Sequence, residues 1–542
     1  VNRRILLLPS LDELPHLSQW EKPAESLQAH PILMAGVSMP SHGRRAVFLC
    51  LIAATVCAAM VGGMPRPARA DPWVTLAAAE PAEAGEPDVA PTEPAASEDA
   101  GVEPAQYLEE SLTHHDPEQE ARIRALVEQA VAARLAGIPR PRYIPATDLA
   151  PPRGLLFLKT DPKRGEFPFG MALGGYMQLR WFEFARGDTE WTNAAGTTLP
   201  IENINTFNIN RFLLSFHGHV VDERLVYNFA LFGTTNVGIR SGVVPIGMVG
   251  WKFDDRTTVG GGMTVVPGTR EWVETTPWTV GIDRSMANTF FRPGFSPGMA
   301  AIGSLLDKTL HYQAGVWNAI DGGTTGVLRR GTSMAWAGNT WWEPLGPFGL
   351  GGSDMEHHDR AVIRLGTSGV YALTNAQRIA GNNPEDTIVR LSDGTPITAR
   401  DALGPNTLLD QYVYRLATLD AAWKWRGWGA SFEYYFRLLD SFQGLGDFER
   451  SSMFDQGGMA YLSWCFVPRT YEVYARSSAV TGPYGTGQEY GGGLNWYLKK
   501  SRQARLTLEA LHMSRNPAQN FLYPYRAGYT GTAIQTQLMV CF

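Results

Sequence analysis

The sequence is short of charge, nearly without cysteine and, after residue 70, without any long apolar run. Charged residues make up 18% of the 542, against about a quarter in ordinary soluble domains. A net charge of -6 and a pI near 6.0 exclude a strongly basic nucleic-acid binder. From residue 71 onward no uninterrupted apolar stretch reaches the ~20 residues that a membrane helix requires. Hydropathy alone would read this part as soluble. Transmembrane barrels escape such scans, however, because lipid-facing and lumen-facing residues alternate along each strand. There are four cysteines. Cys50 and Cys57 fall in a segment expected to be removed on export, leaving Cys465 and Cys541. Two cysteines make no disulfide framework. Both lie on the non-aromatic side of their strands and are read as small wall-lining residues.

The N-terminal part sets the compartment. From Met39 the chain reads MPSHGRRAVFLCLIAATVCAAMVGGMPRPARA. Arg44 and Arg45 give a basic start, Ala46 to Val61 an apolar middle, and Ala68-Arg69-Ala70 a small-x-small cleavage site. Residues 39–70 are thus expected to be a cleaved secretory signal and not an anchor, since the core is too short and no stop-transfer flank follows. Residues 1–38 are expected to be an upstream extension from a misassigned start. Residues 71–115 are rich in Pro, Ala and Glu, a composition that buries too little apolar surface to order, and are read as a linker. Residues 116–137 follow as a short helix, with Ile123, Val127, Ala130, Val131 and Leu135 at helical spacing and Gly137 as its stop. A solvated spacer is expected there, with a small trimerising coiled coil as the alternative.

From Phe169 the pattern becomes one of strands. In TAIQTQLMVCF, Val540, Leu538, Thr536 and Ile534 alternate with Met539, Gln537, Gln535 and Ala533, so one face is apolar and the other mixed. Similar stretches recur at 169–184, 206–219, 223–236, 243–253, 256–266, 298–306, 308–319, 333–343, 360–372 and 411–425. Six more lie at 428–439, 455–466, 470–480, 488–499, 504–514 and 532–542. Each is close to the ~9–11 residues of a tilted membrane strand. The even total of sixteen fits a bacterial outer-membrane barrel. The expected fold class is therefore all-β: a transmembrane antiparallel barrel over residues 155–542.

Arginine placement tests the same idea. Arg180 shares its face with Gln178, opposite Met177, Leu179 and Trp181. Arg211 lies opposite Phe212, Leu214 and Phe216, and Arg437 opposite Phe432, Tyr434 and Phe436. Arg476 and Arg505 follow the same rule. An arginine facing lipid at mid-depth costs ~2–4 kcal/mol, so five would cost on the order of 10–20 kcal/mol. A wet lumen is the expected alternative. By parity the lumen receives Arg180, Arg211, Lys252, Arg364, Lys424, Arg437, Arg476 and Arg505, together with Asp420, Glu433, Glu472 and Glu509. This excess of cations predicts a modest preference for anions, partly cancelled by acids four residues away on the same face.

At these residues the chain resembles the phosphate-selective outer-membrane porins of the O and P type. LGGYMQLRW, INRFLLSFHG, SFEYYF, TYEVYARSS, EYGGGLNWYLK and the final TQLMVCF are similar to that family in order, and DKTLHYQAGVWNAIDGG is similar to its mid-chain strand and turn. The resemblance implies a sixteen-stranded barrel, a homotrimer, and a long loop folded into the pore. That loop is expected after the fifth strand, in VPGTREWVETTPWTVGIDRSMANTFF. It carries Arg270 and Arg284 as pore-loop candidates, but also Glu271, Glu274 and Asp283, and no lysine. A phosphate filter needs clustered cationic donors, and here they are diluted. For Arg284 a loop-anchoring ion pair with Asp283 is the alternative role.

Two decoys are set aside. GFSPG at 294–298 has the nucleophile-elbow form, but Pro297 lacks the backbone N–H that the oxyanion hole needs. MEHHDR, with Glu356, His357, His358 and Asp359, is expected to be an exposed polar loop and not a metal site. No catalytic residue, cofactor, metal or nucleic-acid partner is expected. The expected function is passive diffusion of anions, phosphate among them, and small polar solutes across the outer membrane of a Gram-negative bacterium. The partners expected are outer-membrane lipids, the solutes themselves and two further copies of the chain. The alternatives are a barrel enzyme of lipase or esterase type and a closed structural or adhesion barrel. Phe542 is expected to serve as the barrel-assembly signal.

Overall fold

The computed structural model describes residues 156–160, 163, 165–235, 242–321, 334–375, 388–520 and 525–542, together with Ala125. The expected extension, signal peptide and linker lie outside the described residues, as does the expected helix apart from Ala125.

Sixteen antiparallel strands close into a barrel. In chain order they are β1 (Phe169–Arg186), β2 (Ile204–Val220), β3 (Asp222–Thr234), β4 (Gly242–Lys252), β5 (Thr257–Val265), β6 (Phe295–Leu305), β7 (Leu310–Trp317) and β8 (Ala335–Trp342). The second half comprises β9 (Val362–Asn375), β10 (Leu408–Trp425), β11 (Trp428–Leu445), β12 (Ser452–Val467), β13 (Tyr471–Gly482), β14 (Gly485–Tyr497), β15 (Ala504–Ser514) and β16 (Gly531–Cys541). Each expected strand has its counterpart here, and several run beyond their expected ends.

Every strand pairs with its sequence neighbours, and β16 closes the ring on β1 with Leu538 opposite Leu179. The seam is continued past β16 by Phe542, whose main chain exchanges two hydrogen bonds with Gly175 at 3.0 and 2.9 Å. A four-residue strand, Leu156–Lys159, then pairs with the start of β1 and covers the edge that β16 leaves open.

Alternation explains the two faces. Along β16, Gln535, Gln537 and Met539 are buried while Ile534, Leu538 and Val540 are exposed. Met177, Leu179, Phe432, Leu462 and Leu508 are likewise exposed on the outer wall. Near one end an aromatic chain runs round the outside: Trp428 stacks on Trp464 at 5.2 Å, Phe466 on Tyr471 at 6.1 Å, and Tyr471 on Trp496 at 6.1 Å. An apolar band bounded by such a girdle is the surface that a lipid interface selects.

Alternation fails at one place. Between Arg211 and Ile209 the register of β2 against β1 shifts, so Asn210 is an extra residue. At the bulge both Asn210 and Arg211 point inward, and both are buried. Among the described residues Cys465 and Cys541 are free thiols.

Candidate functional site

The segment between β5 and β6, residues 266–294, does not stand outside the barrel. Nearly all of it is buried, and it bonds to strands on widely separated parts of the wall, which is only feasible from within. It therefore crosses the interior.

The loop has its own skeleton. Helix α1 (Arg270–Val273) is capped by Thr269, which accepts from Trp272 N at 3.2 Å, and α2 (Met286–Phe291) by Ser285, which accepts from Asn288 N at 3.1 Å. Asn288 Nδ2 donates to Thr269 Oγ1 at 2.6 Å, tying the two caps together. Glu271 accepts from Ser285 N at 3.0 Å and from Ser285 Oγ at 2.6 Å. Burial raises the Glu271 carboxyl above its ordinary value, against the pull of the Ser285 bonds.

The wall grips this skeleton through charge. Arg180 Nη1 meets Asp283 Oδ2 at 2.9 Å, and Arg211 Nη2 meets Asp283 Oδ1 at 2.5 Å. Asn210 Nδ2 adds a bond to the same carboxylate at 3.3 Å. Burial opposes the charge on Asp283, yet the Arg211 and Arg180 guanidiniums hold its carboxyl below the usual value. On the other side, Glu433 accepts Arg270 N at 2.6 Å and Glu271 N at 3.1 Å, satisfying the first N–H groups of α1. Loop carbonyls take the remaining cations: Arg476 donates to Asp283 O at 2.5 Å, Arg505 to Thr279 O at 2.6 Å, and Arg437 to Phe290 O at 3.4 Å. The loop comes so close that a Cβ at Gly281 would lie 2.6 Å from both Arg476 Nη1 and Glu509 Oε1. Beneath the polar belt, Met286, Phe290 and Phe291 of α2 join an apolar cluster with Trp317, Tyr435 and Met453.

The sequence-predicted residues have different surroundings. Arg180, Arg211, Arg437, Arg476 and Arg505 are buried and bound to the loop or to acids beside it. Arg437 pairs with Asp455 at 2.8 Å, and Arg476 with Glu489 at 3.4 Å and Glu509 at 3.5 Å. Lys424 is buried and donates to Phe348 O and Leu350 O, both at 3.1 Å. Lys252 lies apart, half-buried near a turn and paired with Asp255 at 3.1 Å. Of the two loop arginines, Arg284 donates to Glu271 O at 2.7 Å and Glu274 O at 2.8 Å, and its guanidinium stacks 4.8 Å from the Trp272 ring. Its role is to brace the loop, while Asp283 turns to Arg180 and Arg211.

Arg270 and Arg364 lie together in the interior, and Arg270 Nη1 donates to Ser431 Oγ. Both approach Asp420 Oδ1, at 3.8 and 3.9 Å. Arg270 Nε and Nη2 and Arg364 Nε have no hydrogen-bond partner. Two guanidiniums thus share one carboxylate at the place where the loop leaves the wall.

Three features escaped the sequence reading. Asp455 and Glu489 face inward on the same parity as the arginines they bind, and a search of every strand by parity would have found them. Tyr525, whose hydroxyl bonds to Arg284 O at 2.8 Å, gave no signal, because its loop has no period. The connector between β8 and β9, residues 343–361, was likewise illegible. It reaches across the mouth of the barrel at the end of the short turns. Gly427 N donates to Asp354 Oδ2 at 2.7 Å, His357 Nε2 meets Cys465 O at 3.1 Å, and Arg502 donates to Ser353 O at 2.9 Å.

No family model and no curated protein matches the chain. Among solved structures it is similar to outer-membrane expressed OmpT of Vibrio cholerae, at 10% identity over 71% of this chain and 100% of that one, with a TM-score of 0.42. The anion-selective porin from Comamonas acidovorans shares 13% identity over 69% of this chain and 99% of its own, with a TM-score of 0.41. The outer membrane channel DcaP of Acinetobacter baumannii shares 8% over 72% and 100%, with a TM-score of 0.41. At these identities and scores the likenesses carry no argument about function.

Proposed function

We propose that the chain is a porin-type channel of a Gram-negative outer membrane, passing anions and small polar solutes by passive diffusion. The observation that carries this reading is the wall-anchored loop crossing a closed barrel whose outside is apolar and whose inside is charged. A loop fixed in this way narrows a lumen without sealing it by main-chain pairing, so that side chains set what passes.

The excess donors on Arg270 and Arg364 support a weak preference for anions. Most other interior arginines are already matched by an acid or a carbonyl. Tight phosphate selection, which resemblance to the O and P porins implies, would need a cluster of unmatched cations. Arg270 and Arg364 are two such cations, and they share Asp420. Weak block by phosphate is therefore the reading supported. Assembly as a homotrimer and export by cleavage after Ala70 belong to the same proposal.

Planar-bilayer recording on the folded protein tests it. Discrete conductance steps, small because the interior is so filled, are expected, with a reversal potential in a KCl gradient shifted toward chloride. A correctly folded barrel that gives no steps would leave a closed structural barrel in place of the channel.

A further inference from the structure

We infer that Asp354, Glu356 and His358 form a binding site for a divalent first-row transition-metal ion of the Zn2+ type, on the connector that spans the turn-side mouth. One donor atom from each of the three lies within 4.8 Å of the other two. The set differs from the consecutive residues that the sequence offers, in that it takes alternate positions and omits His357 and Asp359.

The geometry prepares the three unequally. Asp354 is fully buried, and its carboxylate is fixed by Gly427 N at 2.7 Å and by His358 N at 3.2 Å. His358 Nδ1 already lies 2.5 Å from Asp354 Oδ1, so the ring is oriented toward the carboxylate. Glu356, 45% exposed, can swing, and its present ion pair with Arg502 spans 3.1 Å. His357 points elsewhere, to Cys465 O. Two oxygens and an imidazole nitrogen suit a borderline ion, whereas Mg2+ and Ca2+ favour all-oxygen cages. Zinc bonds of about 2.0–2.2 Å place tetrahedral donors roughly 3.4 Å apart. To reach that spacing Glu356 exchanges Arg502, which donates to both its oxygens at 3.2 and 3.1 Å, for the metal, and the hydrogen between His358 and Asp354 gives way to it. The partial exposure of Glu356 and His358 leaves the remaining position to water.

The test uses the full chain, tag-free and folded in detergent, with Zn2+ in competition against a chromophoric chelator. One Zn2+ per barrel is expected, together with a rise in the unfolding temperature on addition of zinc, because an ion that binds only the folded state stabilises it. E356Q and H358A should each weaken binding at least about tenfold and abolish the thermal shift. H357A should bind as the parent does. Heat-modifiable migration on a gel verifies that each variant is folded; if H358A does not fold, E356Q, changed at a partly exposed position, decides. Absence of zinc binding by the parent, parent-like binding by E356Q, or equal loss in H357A would overturn the site.

Discussion

Arg180 of β1 and Asp283 of the inward loop are 103 positions apart in sequence and 2.9 Å apart in the barrel. Arg211, beside the bulge at Asn210, reaches the other oxygen of the same carboxylate. One acid thus holds two arginines on neighbouring strands and fixes the loop against that side of the wall.

Replacing that acid tests how the loop is held. D283N keeps the size of the side chain and removes the charge, leaving two buried guanidiniums without their anion. Breaking a buried pair in this way costs about 3–5 kcal/mol. The midpoint of urea unfolding in detergent should fall accordingly. Single-channel conductance should rise as the loop moves off the wall. If stability falls while conductance stays unchanged, the loop is held by Glu433 and the carbonyl contacts alone.

Acid should act through the same residue. The Asp283 carboxyl is held below its ordinary value of 3.8, so its stabilising contribution is complete above 3.8. The contribution is then lost as pH falls through the lower folded-state value. Glu271 runs the other way, since its raised value makes its burial easier once it is protonated. The Asp283 anchor should therefore hold down to about 4 and fail only in stronger acid, whereas a change in conductance that begins above 4.5 would report protonation of Glu271, as measured by recording across a pH series. D283N should remove the acid transition and E271Q any change above it.

Deletion of Phe542 addresses closure of the barrel. Its main chain makes both bonds to Gly175, and its ring lies against the same glycine, where an added Cβ would sit 3.0 Å from the ring edge. The truncated chain loses two seam hydrogen bonds, each worth about 0.5–1.5 kcal/mol, and an interfacial aromatic. Slower folding into lipid vesicles is expected, read as a smaller heat-modifiable fraction at equal times. Parent-like folding would place the assembly signal elsewhere.

The barrel was legible because membrane strands obey a rule of period two that survives loss of register at their ends. Arg180, Arg437, Arg476 and Arg505 are buried, opposite the exposed apolar face of their strands. Arg211 is buried as well, in step with Leu213 and Ser215; the bulge shifts the face only of Asn210 and the residues before it. The partners were not legible. Whether Arg476 meets open water or Glu489 and Glu509 depends on which strands neighbour one another and on a loop that fills the space between them. Lys252 obeyed the parity rule and still lies away from the loop anchors, since parity gives the face and not the depth. The connector over residues 343–361 has neither period nor charge pattern, and only the closed barrel shows that the side chains of Asp354 and His357 and the carbonyl of Ser353 meet Gly427, Cys465 and Arg502.

Ion selectivity should respond most at Asp420. It stands between Arg270 and Arg364, at 3.8 and 3.9 Å, and is the acid these two ion pairs share. D420N removes one negative charge and leaves both guanidiniums in place, in a narrow passage where low dielectric amplifies the field. The reversal potential in a KCl gradient should move further toward chloride. R364Q does the opposite, restoring a one-to-one match between Arg270 and Asp420, and should bring the channel close to non-selective. The two variants together separate charge from shape, because either change alone could alter conductance by loosening the loop. Opposite shifts in reversal potential are required of a selectivity determinant. Shifts of the same sign, or none, would show that ions pass along another part of the wall.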